Sequence, residues 1–306
     1  MRRRHWLRDL IEYIPALMVV KFLGLLPRRW ALRLGEGIGL LVYVGWRRLR
    51  RVGERNLELV FPHLHRAERR DLLRRVFRML GRHLAEFSQF PKLHRENIAE
   101  VVQYAGLEHY EQAIRQGRGV LILTAHFGAW ELSPFAHALY GHPLNFLVRR
   151  LDNPLLDRLI ERYRTLSGNH PIDKKDAARQ VLAALRRGEA VGVLMDLNTQ
   201  PQEGVFCKFL GITCCTSPIL TRFALRTGAP IIPGFLIWDE RTRRHTLRFD
   251  PPVDLVRTGD HAQDLVVNTE RLNEVIESFV RQYPDHWVWV HKRWATRPPG
   301  EPDLYG

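Results

Sequence analysis

The sequence predicts an α/β fold whose central sheet is largely parallel and flanked by helices. β-rich apolar runs alternate with helical periodicity from about residue 120 onward. Glycines close three of the helical stretches, at Gly168, Gly188 and Gly228. The chain has 306 residues, 45% of them hydrophobic, enough to bury a large core. Taken in order, the pattern predicts a strand over 120–125, a helix over 131–140, a strand over 144–149 and a helix over 153–167. A helix over 176–187, a strand over 190–196 and a helix over 216–227 follow. Strands over 230–238 and 245–250 and a long helix over 261–283 complete it. Sheets of this kind bind ligands beyond the carboxyl ends of their strands.

The first third of the chain has a different texture. Residues 1–100 hold 22 Lys+Arg against 10 Asp+Glu, a local charge of +12 out of +14 for the whole chain. A basic excess of that size calls for a polyanionic partner. Two apolar runs, Ile11 to Pro27 and Leu34 to Trp46, lie within it after the basic start Met1-Arg2-Arg3-Arg4, so an anionic bilayer fits better than nucleic acid. The sequence also lacks helix-turn-helix, zinc-finger and RNP patterns. The first run resembles a signal peptide, but Pro27-Arg28-Arg29 follows it where a small-residue cleavage site would stand. It carries Glu12 and Lys21 and falls short of the ~20 clean apolar residues of a spanning helix. A helix lying in the membrane interface, or a poor single span, is expected rather than a strong anchor, with Trp6, Trp30, Tyr43 and Trp46 where interfacial aromatics would serve. This gives a membrane-associating segment over 1–52 and a catalytic domain over 53–306.

From Glu68 to Phe90 an amphipathic helix is predicted, with Arg74, Arg75, Arg78 and Arg82 on a solvated basic face. Cys207, Cys214 and Cys215 include no C-x-x-C spacing, so they form neither a disulfide framework nor a zinc pattern. They read as packed apolar thiols in a reducing compartment.

One strand end concentrates chemistry: Thr124-Ala125-His126-Phe127-Gly128-Ala129-Trp130-Glu131. An imidazole there, followed by a glycine turn and a carboxylate at a helix start, can fold back on itself. The carboxylate then accepts one ring N–H and leaves the other nitrogen as a general base. No Ser or Cys nucleophile stands nearby, which suits direct attack by a substrate hydroxyl. Phe127 and Trp130 read as core or wall aromatics. The alternation Trp287-Val288-Trp289-Val290 reads as a half-buried strand rather than a stacking surface for nucleic acid.

Several blocks carry a resemblance. The segment from His126 to Glu131, Arg149 in L-V-R-R-L-D-N-P, E-G-V-F-C-K-F-L-G over 203–211 and G-A-P-I-I-P over 228–233 resemble the lysophospholipid/glycerol-3-phosphate acyltransferase superfamily. N-L-E-L-V-F-P over 56–62, A-E-R-R over 67–70 and W-V-W-V-H-K-R-W-A-T-R-P over 287–298 resemble, more specifically, the bacterial lipid A late acyltransferases, the lauroyl/myristoyl family. The resemblance spans residues 10 to 298 in the family's order. It implies a glycerol-3-phosphate acyltransferase-like sandwich on the cytoplasmic face of the inner membrane. The donor would be acyl-acyl carrier protein, and the acceptor a hydroxyl on a phosphorylated lipid A precursor. No metal or redox cofactor is implied.

His126 would be the base and Glu131 would complete its dyad. Arg149 would meet the acceptor's phosphate or polarise the thioester. Asp196 matches the acid at the family's next strand end, and Arg164 the arginine before Gly168. Read from the residues alone, Arg149 serves equally as a surface ion-pair partner for Asp152, and Asp196 as a cap or turn residue. Leu197-Asn198-Thr199 and Arg150 depart from the family pattern. They leave other acceptors open: a mannosylated phosphoinositide, an ornithine lipid or a lysophospholipid.

Overall fold

A computed structural model describes residues 6–173 and 177–306. The basic start over 1–4 and the predicted helix start at 176 lie outside the described residues. Four helices come first: α1 (Trp6–Leu25), α2 (Arg28–Gly45), α3 (Arg47–Val60) and α4 (Arg66–Gln89). The boundary expected at residue 52 falls inside α3. Then follow β1 (Val102–Ala105), α5 (Leu107–Ile114), β2 (Val120–Thr124), α6 (Leu132–Leu139), β3 (Asn145–Val148), α7 (Pro154–Thr165) and β4 (His170–Asp173). The chain continues with α8 (Ala177–Arg186), β5 (Ala190–Leu194), β6 (Val205–Phe209), β7 (Ile212–Thr216), α9 (Ile219–Thr227), β8 (Ile231–Asp239), β9 (Arg244–Phe249) and α10 (His261–Gln282).

The main sheet has the order β1-β9-β8-β2-β5-β3-β4, with β6 and β7 paired as a separate hairpin. Within it only β8 and β9 pair antiparallel, so β8, β2, β5, β3 and β4 present their carboxyl ends at one edge. From β2 the chain leaves toward β3, and from β5 toward β8 on the other side, so a crevice opens between their ends. Both sheet faces are buried. Leu121, Leu123, Val191 and Val193 pack into a core with α8, α9 and α10. The alternate residues Ile122 and Phe146 pack toward α6 with Leu132 and Phe135.

Each strand and helix predicted from residue 120 to 283 is present, within a few residues of its expected ends. The Trp287–Val290 alternation is the exception. Its tryptophans are buried and its valines half-buried, as a strand would have them, but only one bridge forms, between Trp287 and Phe127. The indoles of Trp287, Trp289 and Trp294 are 0% exposed and offer no stacking platform. The three cysteines are buried free thiols.

The N-terminal helices are tied to this body by backbone contact and buried charge. Gly35 and Gly39 of α2 lie against Gly81 and Phe77 of α4 so closely that a Cβ on Gly39 would stand 2.0 Å from the Phe77 carbonyl oxygen. Arg82, expected on a solvated face, is buried instead. It donates to Glu36 of α2 at 3.1 Å and to Glu240 at 2.6 Å, with its guanidinium 4.2 Å from the Trp238 ring centroid. Arg74, Arg75 and Arg78 are exposed as expected. Gly39→Ala is expected to destabilise the protein by about 1–3 kcal/mol through overpacking, beyond the roughly 1 kcal/mol that alanine gains in a helix. Urea unfolding would read this, and an unchanged midpoint would contradict the close helix contact.

Candidate active site

His126 lies two residues past the end of β2 and Asp196 two residues past the end of β5. These strands are parallel neighbours in a register that pairs Thr124 with Leu194. Continued over the same two residues, that register brings His126 opposite Asp196. Asp196 Oδ1 lies 2.9 Å from His126 Nδ1, and Oδ2 accepts the His126 backbone N–H at 3.0 Å and the Trp287 indole N–H at 2.8 Å. Asp196 is fully buried, while the His126 side chain keeps 23% exposure. After His126 the backbone turns at Gly128, whose φ is +59° and where a Cβ would stand 2.3 Å from the Leu236 carbonyl oxygen. No residue with a side chain fits that turn.

Electrostatics follow from this geometry. Burial alone would lower His126, but the Asp196 charge and hydrogen bond, with Glu131 adding, raise it above the ordinary 6.5. Burial alone would raise Asp196, but the imidazole and the indole and backbone N–H donors hold it below the usual carboxylate range. Asp196 thus fixes Nδ1–H and leaves Nε2 as the free base.

The carboxylate on His126 is therefore Asp196, which corrects the expected His126–Glu131 hydrogen bond. Glu131 precedes α6 and is gripped by Arg164 from α7, with Nε donating to Oε2 at 2.8 Å and Nη2 donating to Oε1. That fork holds Glu131 ionised against the effect of burial. Glu131 accepts its hydrogen bonds from Arg164 and reaches the His126 ring only through its charge. Arg164, expected to bind substrate, lines the cavity as the partner of Glu131.

Glu131, Arg149 and Arg164 border a cavity of about 730 Å³, and Asp196 lies buried behind His126. His126 also lines the cavity, and Ile122, Phe146 and Gly192 supply apolar wall. Its size lies in the usual range for ligand sites. Arg149 is exposed there and pairs with no carboxylate among the described residues, Asp152 included. Arg150 instead binds Asp173 at 2.8 Å.

Sequence reasoning missed three neighbours. Trp287 was read as a packing residue, and its bond to Asp196 is tertiary. Trp130 is a cavity wall as expected, but it also stacks on His83 of α4 (centroids 3.7 Å apart, planes 22°) and meets His126 edge-on at 5.2 Å. Burial pushes His83 down to about 4, so it is neutral. His291 accepts the Asn198 backbone N–H at 3.0 Å, and burial pushes it down to about 4. Only the tryptophan-rich block gave a signal for any of them.

A His–Asp pair at the strand ends of a parallel sheet, with no hydroxyl or thiol hydrogen-bonded to the imidazole among the described residues and a largely apolar cavity in front of it, fits an α/β acyltransferase site. Residues 2–296 match the bacterial lipid A biosynthesis acyltransferase family, and the chain belongs to it. It is 28% identical over 281 residues to the lipid A biosynthesis lauroyltransferase of Escherichia coli (strain K12), covering 92% of this chain and 90% of that protein. The myristoyltransferase of the same strain is 28% identical over 251 residues, covering 82% and 76%. A lipid A biosynthesis acyltransferase of Haemophilus influenzae (strain ATCC 51907 / DSM 11121 / KW20 / Rd) is 25% identical over 283 residues, covering 92% and 87%.

Proposed function

We propose that this acyltransferase moves a fatty acyl chain from acyl carrier protein to a hydroxyl of a phosphorylated lipid A precursor. The observation that carries the reading is the His126–Asp196 pair opening on the apolar cavity. His126 Nε2 takes the proton of the acceptor hydroxyl as its oxygen attacks the thioester carbonyl. The C–S bond then breaks, the carrier thiolate takes the proton back from the imidazolium, and an ester and a free thiol remain. Asp196 stabilises the imidazolium through Nδ1–H. Glu131 adds negative potential and fixes Arg164, and exposed Arg149 meets the acceptor's phosphate, since its fork matches phosphate oxygens. No covalent acyl-enzyme is required.

The test incubates the protein with acyl-loaded carrier protein and a phosphorylated glucosamine disaccharide bearing hydroxyacyl chains. A mass gain of one acyl group is expected, and its absence would overturn the reading. Lipid profiles of a deletion strain identify the acceptor by the chain that goes missing.

The N-terminal helices fit work on the cytoplasmic face of the inner membrane. Among the described residues no helix is long and apolar enough to cross a membrane. Yet α1 exposes Leu7, Ile11, Ile14, Met18, Phe22 and Leu25, a stripe at helical spacing. Trp30, Leu34, Leu41 and Trp46 of and after α2 are also exposed, as are Lys21, Arg29, Arg33, Arg47 and Arg48. An apolar stripe with flanking cations suits an anionic lipid surface. Ile11→Ser/Met18→Ser/Phe22→Ser is expected to weaken binding to anionic vesicles at least about tenfold, since burying each such side chain is worth roughly 1.5–3 kcal/mol. Co-sedimentation unchanged by the triple substitution would contradict this.

A further inference from the structure

The cavity wall carries a polar group that the transfer chemistry does not use. On the side nearest β9 the cavity is bounded by Ile122, Leu247, Phe249 and His137 of α6. His137 is 1% exposed. Its ring is enclosed by Tyr110 edge-on at 4.6 Å, His142 stacked at 5.0 Å and Phe249 at 5.2 Å. Nδ1 lies 2.6 Å from the Tyr104 hydroxyl of β1, and Nε2 has no hydrogen-bond partner among the described residues.

The tautomer follows from counting hydrogens. Burial pushes His137 down to about 3, with His142 adding, so the ring is neutral. Burial also raises Tyr104, so the phenol keeps its hydrogen. If Nδ1–H donated to Tyr104, the phenolic hydrogen and the Nε2 lone pair would both be stranded. If the phenol donates to Nδ1, a single group is left over, the Nε2–H donor. A buried donor without an acceptor is costly to keep. Ile122, Leu247 and Phe249 beside it are apolar, and Ser133, one turn earlier on α6, also lines the cavity; a trapped water needs two or more polar partners. An oxygen held in place by its own carbon chain needs only one.

Resting on the acyl-transfer reading, we propose that the cavity accepts an acyl chain bearing an oxygen substituent, hydroxyl or keto, whose oxygen accepts a hydrogen bond from His137 Nε2. His137 thereby sets which acyl chains are transferred, while Tyr104 is a positioning residue that fixes its tautomer.

The experiment measures kcat/KM for carrier-protein thioesters of one chain length, plain or with a single hydroxyl or keto group moved stepwise along the chain. The acceptor is the phosphorylated, hydroxyacylated glucosamine disaccharide. Wild-type protein is expected to favour one oxygenated isomer over the plain chain by about fivefold or more, the scale of a buried hydrogen bond. His137→Phe should bring that ratio to one or below whatever its absolute rate, and His137→Gln, which keeps an N–H donor, should restore part of it. A plain chain used as well as every oxygenated isomer by the wild type overturns the inference and leaves acyl transfer standing. A preference that survives His137→Phe overturns the assignment to His137. If that variant does not fold, the wild-type series still decides. Turnover of neither kind of thioester overturns both readings.

Discussion

Replacing His126 with alanine is expected to lower kcat for acyl transfer by about 10²–10⁴-fold, the usual contribution of a positioned base. That corresponds to about 3–5 kcal/mol of transition-state stabilisation. The acceptor hydroxyl holds its proton tightly at neutral pH, and among the groups lining the cavity only His126 combines a free ring nitrogen with a carboxylate behind it. KM for the acyl thioester should change little, because the apolar wall formed by Ile122 and Phe146 remains. Folding should also survive, since the His126 side chain borders the cavity and keeps 23% exposure. Single-turnover transfer and thermal unfolding on the same preparation separate the two effects. Equal rates in variant and wild type would remove His126 from the chemistry.

Residue 126 stood out in the sequence because its run is self-contained: a β-rich stretch, an imidazole, a glycine and an acid within a dozen residues. Its true partner did not. Residues 120–125 and 190–196 were both legible as strands, because uninterrupted apolar runs mark strands covered on both faces. Nothing within either run says that they are neighbours, and only adjacency and register make His126 face Asp196. The nearer acid, Glu131, was preferred on sequence distance, and the structure gives it to Arg164 from a different helix. Local pattern also failed for β1 and β4, four-residue edge strands, one of which contains Pro171. The β6–β7 hairpin was missed because it turns at Leu210-Gly211, both with positive φ, and only the glycine is a usual turn residue there. Arg82 escaped for the opposite reason. Its helical face is basic in sequence, and Glu36 and Glu240 come to it from distant segments.

Asp196→Asn is expected to be nearly as damaging as loss of the base, about 10²–10⁴-fold in kcat, with a pH signature that identifies its role. In the wild type, Asp196 raises His126 above 6.5. His126 works as a base only when deprotonated, so activity should fall as pH drops through that raised value, and the acid limb should lie above 6.5. Asparagine removes the negative charge while burial, which lowers His126, persists. The limb should therefore move to lower pH even as the plateau falls, because an amide can donate to Nδ1 and select the wrong tautomer. A limb that moved upward, or a plateau that held, would show that Asp196 does not act through the imidazole. Combination with His126→Ala is the sharper measurement. The proton-transfer role of Asp196 runs through a ring that is no longer there, and the amide oxygen of asparagine can still accept the backbone and Trp287 N–H groups, so Asp196→Asn should cost little more in the double variant. Glu131→Gln should behave differently. Its main partner is Arg164, and it touches His126 only through its field, so part of its effect should persist in the His126→Ala background. Full additivity of Asp196→Asn with His126→Ala would break the pairing on which the proposed proton transfer rests.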